Sequence, residues 1–171
     1  MALAGGCLKL NMKSCFYRLL AVLAACFATP WATWHQRRIR ASGRRLNNQE
    51  MVVAEALSLS HPDTVFIHVI ERVPNPLHLL LCLARSCGAS FITEAEGITL
   101  GSGIYVDTES AESLELIAHE LVHVRQYQRV GSIWSFMVEY LYQCLMVGYF
   151  DAEWEMEARR ESAKIISSIP C

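Results

Sequence analysis

The sequence predicts an α+β fold in which a small, mostly antiparallel sheet packs against helices. Three observations carry that reading. Strand-like stretches are few, short and close together: the Val- and Ile-rich "TVFIHVIERV" at 64–73 and the glycine-bearing "ITLGSGIYV" at 98–106. Helix-like stretches dominate the chain beyond residue 110, in the order β-α-β-β-α-α with a leading helix, rather than alternating with strands. Finally, 53% of the residues are apolar, enough to build a buried core and to exclude global disorder.

Charge divides the chain. Residues 1–50 carry eight Lys/Arg and one acid, Glu50, whereas residues 51–171 carry seven Lys/Arg and sixteen Asp/Glu. The sequence therefore reads as a basic, apolar leader (1–50) and an acidic body (51–171). An acidic body argues against nucleic acid as a partner, because a phosphate-binding face needs clustered Lys/Arg. In the leader, Lys9, Lys13 and Arg18 precede the uncharged run Leu19–Trp34, "LLAVLAACFATPWATW". That run has the pattern of a signal-peptide core, and "LAAC" resembles a lipobox with Cys26 as the lipidated residue. The basic "HQRRIRASGRR" that follows favours retention on the cytoplasmic side. A cleaved signal, a membrane anchor through 19–34 and an unfolded leader all fit, as does a translation start at Met51. A cytoplasmic body attached to a membrane is the favoured arrangement. The seven cysteines include no CxxC pair, and their odd, scattered placing favours a reducing compartment.

The elements follow in order. "NQEMVVAEALSLS", 48–60, reads as a helix capped by Asn48 and broken by "HPD" at 61–63. The strand at 64–73 comes next, then a turn at "PNP". Asn75 caps a helix with Pro76 in its first turn and Gly88 at its end. A short strand at 90–93 leads to a strand, kink and strand at 98–106. Thr108 or Ser110 caps a long helix over 110–129, which Gly131 ends. An apolar, aromatic helix at 132–149 must be largely buried, and an acidic helix closes the chain at 151–168.

The long helix carries "HELVH". On a helix, residues i and i+4 share a face one turn apart, so His119 and His123 can present two imidazoles to one zinc ion. Glu120 is rotated by about 100° and serves as general base toward a metal-activated water rather than as a ligand. Ile117, Leu121, Val122 and Val124 supply the apolar packing that holds such ligands rigid. A catalytic zinc wants a third protein ligand. His35, His61, His68 and His78 lie upstream and isolated, His68 within an apolar strand, and Cys144 lies on an apolar helix. The conspicuous candidates are the acids of "DAEWEMEARRE", 151–161. Glu155 shares a face with Asp151, Ala158 and Arg159; Glu157 shares one with Glu153 and Glu161.

"HELVH" followed downstream by "EMEARR" resembles the gluzincins, the zinc peptidases with two His and one Glu ligand. The likeness is to short, minimal gluzincin domains of bacterial proteins, and to the membrane-bound prenyl-protease and heat-shock protease group with its E-x-x-A-D pattern. The resemblance covers about 65–170 and implies a zincin-like fold. It implies that Glu155 is the third ligand, with Ala158 matching and Arg159 standing where the pattern has an acid. Asp151 could supply that acid's carboxylate, and Glu157 is the alternative ligand. It also implies that a strand beside the metal helix, Ile104–Tyr105–Val106, binds extended peptide by edge pairing.

The expected function is hydrolysis of peptide bonds in a peptide or protein substrate by a zinc-activated water. No oxyanion-stabilising residue stands out; Tyr127, Tyr140, Tyr142 and Tyr149 qualify by type, and packing is the commoner use of each. The competing reading is a non-catalytic, zinc-stabilised interaction module. Glu120 favours the enzyme, because a structural site has no need of an acid between its histidines.

Overall fold

The computed structural model describes residues 3–74 and 95–169, with side chains from residue 13 onward. Among the described residues there are five helices and a four-stranded sheet, an α+β arrangement as expected. In chain order they are α1 (Leu3–Ser42), β1 (Arg44–Arg45), α2 (Asn48–Ala56), β2 (Phe66–Ile70), β3 (Gly97–Leu100), β4 (Gly103–Asp107), α3 (Leu114–Val130), α4 (Ile133–Val147) and α5 (Glu153–Ser168), with a single 3₁₀ turn at Pro62–Thr64 before β2. The helix expected between Asn75 and Gly88 and the strand at 90–93 lie outside the described residues.

The sheet order is β1-β2-β4-β3. β1 and β3 run antiparallel to their neighbours while the central β2 and β4 are parallel, with His68 opposite Tyr105, so the sheet is mixed rather than the mostly antiparallel one expected. A parallel pair needs a long crossover, and residues 71–96 provide the chain length for it. β3 and β4 instead form a hairpin closed by Gly101 and Ser102, with Leu100 opposite Gly103. Gly101 takes φ +68°, as a tight two-residue turn with glycine first requires.

Side chains alternate across the sheet and divide the core in two. Ile67, Ile104 and Val106 pack with Val53, Ala54 and Leu57 of α2, with Ile117, Leu121 and Val124 of α3, and with Ala158 of α5. Tyr105 and Leu100 belong to a second cluster with Ala32 and Ile39 of α1, Phe136, Met137 and Leu141 of α4, and Trp154. Residues 3–42, set apart in sequence by their charge, form one continuous helix that passes through Pro30. Its N-terminal half lies along α4, where the Ser14 and Tyr142 hydroxyls are 2.7 Å apart and Arg18 meets Glu139. Its C-terminal half covers the sheet, where His35 Nδ1 meets the Tyr105 hydroxyl at 3.2 Å.

Several helix boundaries shift from expectation by capping chemistry. Asn47, not Asn48, caps α2, in a reciprocal box with Glu50. Glu50 is fully buried and is held by both guanidinium nitrogens of Arg44 at 2.6 and 2.7 Å, so its charge is paired. α3 starts at Leu114, capped by Ser113, because Asp107 Oδ1 accepts from Ser110 N and turns the intervening residues away from helix. Gly131 ends α3 in the left-handed conformation, as expected.

Candidate metal centre

Two helices build the site. α3 is amphipathic, and its buried face includes His123, while His119 lies one turn earlier and is partly exposed. α5 crosses α3 and brings Glu155, which is 1% exposed, to the same point. The Nε2 atoms of His119 and His123 are 3.2 Å apart. Glu155 Oε2 lies 3.5 Å from His119 Nε2, and Oε1 lies 3.3 Å from His123 Nε2. All three ligand atoms fall within 4.8 Å of one another, as a group that could hold a metal ion. Glu155 Oε2 is buried without a hydrogen-bond partner. A buried, unsatisfied carboxylate oxygen is costly, and a cation would satisfy it. The donors therefore fit a divalent ion.

The surroundings fix the ligands. The Tyr140 hydroxyl donates to Glu155 Oε1 at 2.7 Å. Gln126, fully buried, places its Oε1 2.8 Å from His123 Nδ1. Its amide nitrogen donates to the Trp154 carbonyl at 3.0 Å and to Glu157 Oε2 at 2.9 Å. Two acceptors on the nitrogen side orient the amide, so Oε1 accepts from His123 Nδ1–H and leaves Nε2 to face the ligand cluster. Burial alone would lower the His123 pKa, but the hydrogen bond and charge of Glu155 outweigh it and lift the value to about 9. Burial alone would raise the Glu155 carboxyl, but His119, His123 and Tyr140 hold it well below the usual carboxylate range.

Glu120 points elsewhere on α3, as its rotation from His119 requires. Thr99 Oγ1 of β3 lies 2.7 Å from Glu120 Oε2 and 2.9 Å from the Glu120 carbonyl. Gly97 makes room: a Cβ there would stand 3.0 Å from Glu120 Oε1 and 3.2 Å from its Cδ. The base candidate thus lies between the metal helix and the edge hairpin, 5% exposed.

The other expectations divide. Glu157 is engaged by Arg129 at 3.0 Å through both nitrogens, by Arg125 at 3.2 Å and by Gln126. It joins α5 to α3 and does not enter the ligand cluster. Glu161 pairs with Arg160, and Asp151 is exposed. Arg159 turns toward the site instead of an acid, with Nη1 3.8 Å from Glu155 Oε2. Edge pairing of peptide on Ile104–Tyr105–Val106 is corrected by the topology. β4 is flanked by β2 and β3, both of its backbone edges are used, and all three side chains are buried. His68 packs edge-on against Tyr105 and His35 bonds to it, both on the α1 side of the sheet. Cys144 stays a thiol, pushed up to about 12 by burial and by the Glu155 charge.

The tyrosines separate into two pairs. Tyr127 stacks on Phe136 at 3.6 Å and Tyr142 meets α1, so both serve packing. Tyr140 touches Glu155 directly. Tyr149, in the α4–α5 connection, has its phenol pushed far up by burial and then by Glu155 and Glu120, so it lies in the field of both carboxylates. Gln126 was not singled out in the sequence, although its place three residues after His123 puts it on the same helical face.

Comparison with known proteins is narrow. No curated protein and no solved structure matches the chain. A family described as the eCIS core domain matches residues 83–131. That span takes in β3, β4 and all of α3, with His119, Glu120 and His123, and ends before α4, α5 and Glu155. The chain is therefore similar to the eCIS core domain over the segment that bears both histidines, and Glu155, beyond that segment, completes with them a His–His–Glu group that could hold a metal ion.

Proposed function

We propose that the protein is a zinc-dependent metallopeptidase of the gluzincin kind, with a zincin-like arrangement of metal helix and edge hairpin. The observation that carries the reading is the pairing of the His119–His123–Glu155 cluster with a buried carboxylate, Glu120, on the same helix. Two imidazoles and one carboxylate form a donor set that catalytic zinc sites use, with a position left for water or substrate. When bound, zinc would supply a Lewis acid that polarises a carbonyl and acidifies water.

The chain's own residues then have distinct duties. Gln126 and Tyr140 orient His123 and Glu155. Glu120 accepts a proton from the attacking water and returns it to the leaving amine nitrogen as the C–N bond breaks. Thr99 and Gly97 set where that carboxylate stands. The substrate is a peptide or protein.

Metal analysis and peptide hydrolysis by the full chain test the proposal. Wild type and Glu120→Gln should both carry about one zinc per chain, and only wild type should hydrolyse peptide. A metal-free wild type would sink the zinc site. Zinc without hydrolysis in wild type would leave a zinc-stabilised interaction module instead, and hydrolysis unchanged in Glu120→Gln would sink the mechanism with Glu120 as base.

A further inference from the structure

Helix α1 has two faces of opposite character. Ala21, Ala25, Ala32 and Ile39 are fully buried against α4 and the sheet. Phe16, Leu19, Leu23, Phe27 and Trp34 are 58%, 58%, 53%, 76% and 55% exposed. At about 100° per residue these five fall within an arc of about 80°, roughly opposite the buried four. The stripe is about 27 Å long at a rise of 1.5 Å per residue.

Charge brackets the stripe. Lys13 lies on the same face one turn before Phe16, and Arg37 and Arg38 follow Trp34, with the Arg38 guanidinium 5.6 Å from the Trp34 ring. No charged residue falls between Arg18 and Arg37, and no acid occurs before Glu50. Five large apolar side chains in a row exceed the scattered exposure that needs no explanation. Apolar side chains flanked by cations, with a tryptophan under an arginine, match acyl chains beneath anionic headgroups.

Lys13–Ser42 is long and apolar enough to cross a bilayer by length and composition. Its inner face, however, is committed to the protein: Ile39, Ala32 and His35 sit against the sheet. Its N-terminal half is committed as well, to Tyr142 and Glu139 of α4, so a crossing helix would carry the Glu139 carboxylate into hydrocarbon. We propose that α1 lies in the plane of an anionic membrane, seating Phe16, Leu19, Leu23, Phe27 and Trp34 among the lipids while Lys13, Arg37 and Arg38 meet the headgroups. The surface is separate from the metal cluster, so the proposal stands whatever that cluster does.

Vesicle co-sedimentation of the full chain tests it, with phosphatidylcholine vesicles with and without phosphatidylglycerol. Wild type should pellet with the anionic vesicles. Leu19→Ser/Leu23→Ser/Phe27→Ser should bind more than about 100-fold more weakly, with unchanged circular dichroism and zinc content, since only exposed side chains change. Lys13→Gln/Arg37→Gln/Arg38→Gln should lose about fivefold per charge on anionic vesicles and nothing on neutral ones. Wild type left in the supernatant with both vesicles, or equal binding by the serine variant, overturns the proposal. So does a dimer in light scattering that the serine variant abolishes without any vesicle binding, which would assign the stripe to a second copy of the chain.

Discussion

The Thr99 hydroxyl of the edge strand stands 2.7 Å from the Glu120 carboxylate of the metal helix. Sequence separates the two by an entire hairpin and turn, yet the side chains meet in a buried space. That hydroxyl helps to orient the carboxylate. Thr99→Val should keep the shape and lose the donor, costing about 1–3 kcal/mol of stability. On the proposed mechanism it should also lower kcat with little change in KM, and Thr99→Ser should restore both. Steady-state kinetics with a thermal melt separates the two effects.

Gly97 tests the same contact from the other side. A methyl at 97 would press on Glu120 Oε1, Cγ and Cδ at 3.0–3.2 Å. Gly97→Ala should displace the carboxylate by a few tenths of an ångström and reduce hydrolysis, while zinc content stays at wild-type level. Metal analysis beside a peptide assay reads both.

The metal cluster makes a sharper claim about which glutamate counts. Glu155→Ala should abolish stoichiometric metal, as should His123→Ala, because each removes one of three converging donors. Glu157→Ala should retain the metal and lose stability, since its partners are Arg125, Arg129 and Gln126. Equal metal loss in the two glutamate variants would contradict the assignment.

Gln126 gives a graded prediction. Gln126→Leu removes the acceptor for His123 Nδ1–H while filling similar space. Metal affinity should fall about 10- to 100-fold, measured by competition with a chelator of known affinity, and the chain should remain folded. The Trp154 carbonyl and Glu157 would each also lose one donor, so a modest drop in melting temperature should accompany it.

Acid should loosen the join between α3 and α5. Burial pushes the Glu157 carboxyl up, but hydrogen bonds from Arg129 and Gln126 and the charges of Arg129 and Arg125 outweigh it and lower its pKa from 4.5. A depressed carboxylate contributes stability above its unfolded value, and that contribution is lost as pH falls through the folded value. In chelator-treated protein, Glu157→Gln should melt below wild type at neutral pH. The gap between the two should close as the pH drops below the ordinary carboxylate range.

Much of this was legible in the residues. Helical periodicity located α3, α4 and α5 to within a few positions, and i, i+4 spacing placed both histidines on one face. Glu155 came from a motif, and the choice against Glu157 needed Arg125 and Arg129, which face it from another helix. The parallel pairing of β2 with β4 was not legible, because a five-residue apolar strand carries no mark of its neighbour's direction. The edge role of Ile104–Val106 followed from the gluzincin resemblance, and the sheet order, with β4 between β2 and β3, overturns it. The capping residue of α3 was misplaced because Thr108, Ser110 and Ser113 all have the right chemistry, and only the Asp107–Ser110 turn decides among them. The inner stripe of α1, with Ala21, Ala25 and Ala32 fully buried, was not legible, because small apolar residues occur equally in a signal-peptide core.

The contact between Ser14 and Tyr142 has a consequence for the order of events in synthesis. The ribosome delivers α1 long before α4 or the β3–β4 hairpin that its inner face covers. Through most of translation the helix is a lid without a box, apolar on both sides and bound to nothing in its own chain. Contacts this distant in sequence form late, and the exposed segment is open to capture in the meantime. Whatever receives a nascent apolar helix, a chaperone or a lipid surface, meets this protein before its metal helix has been made.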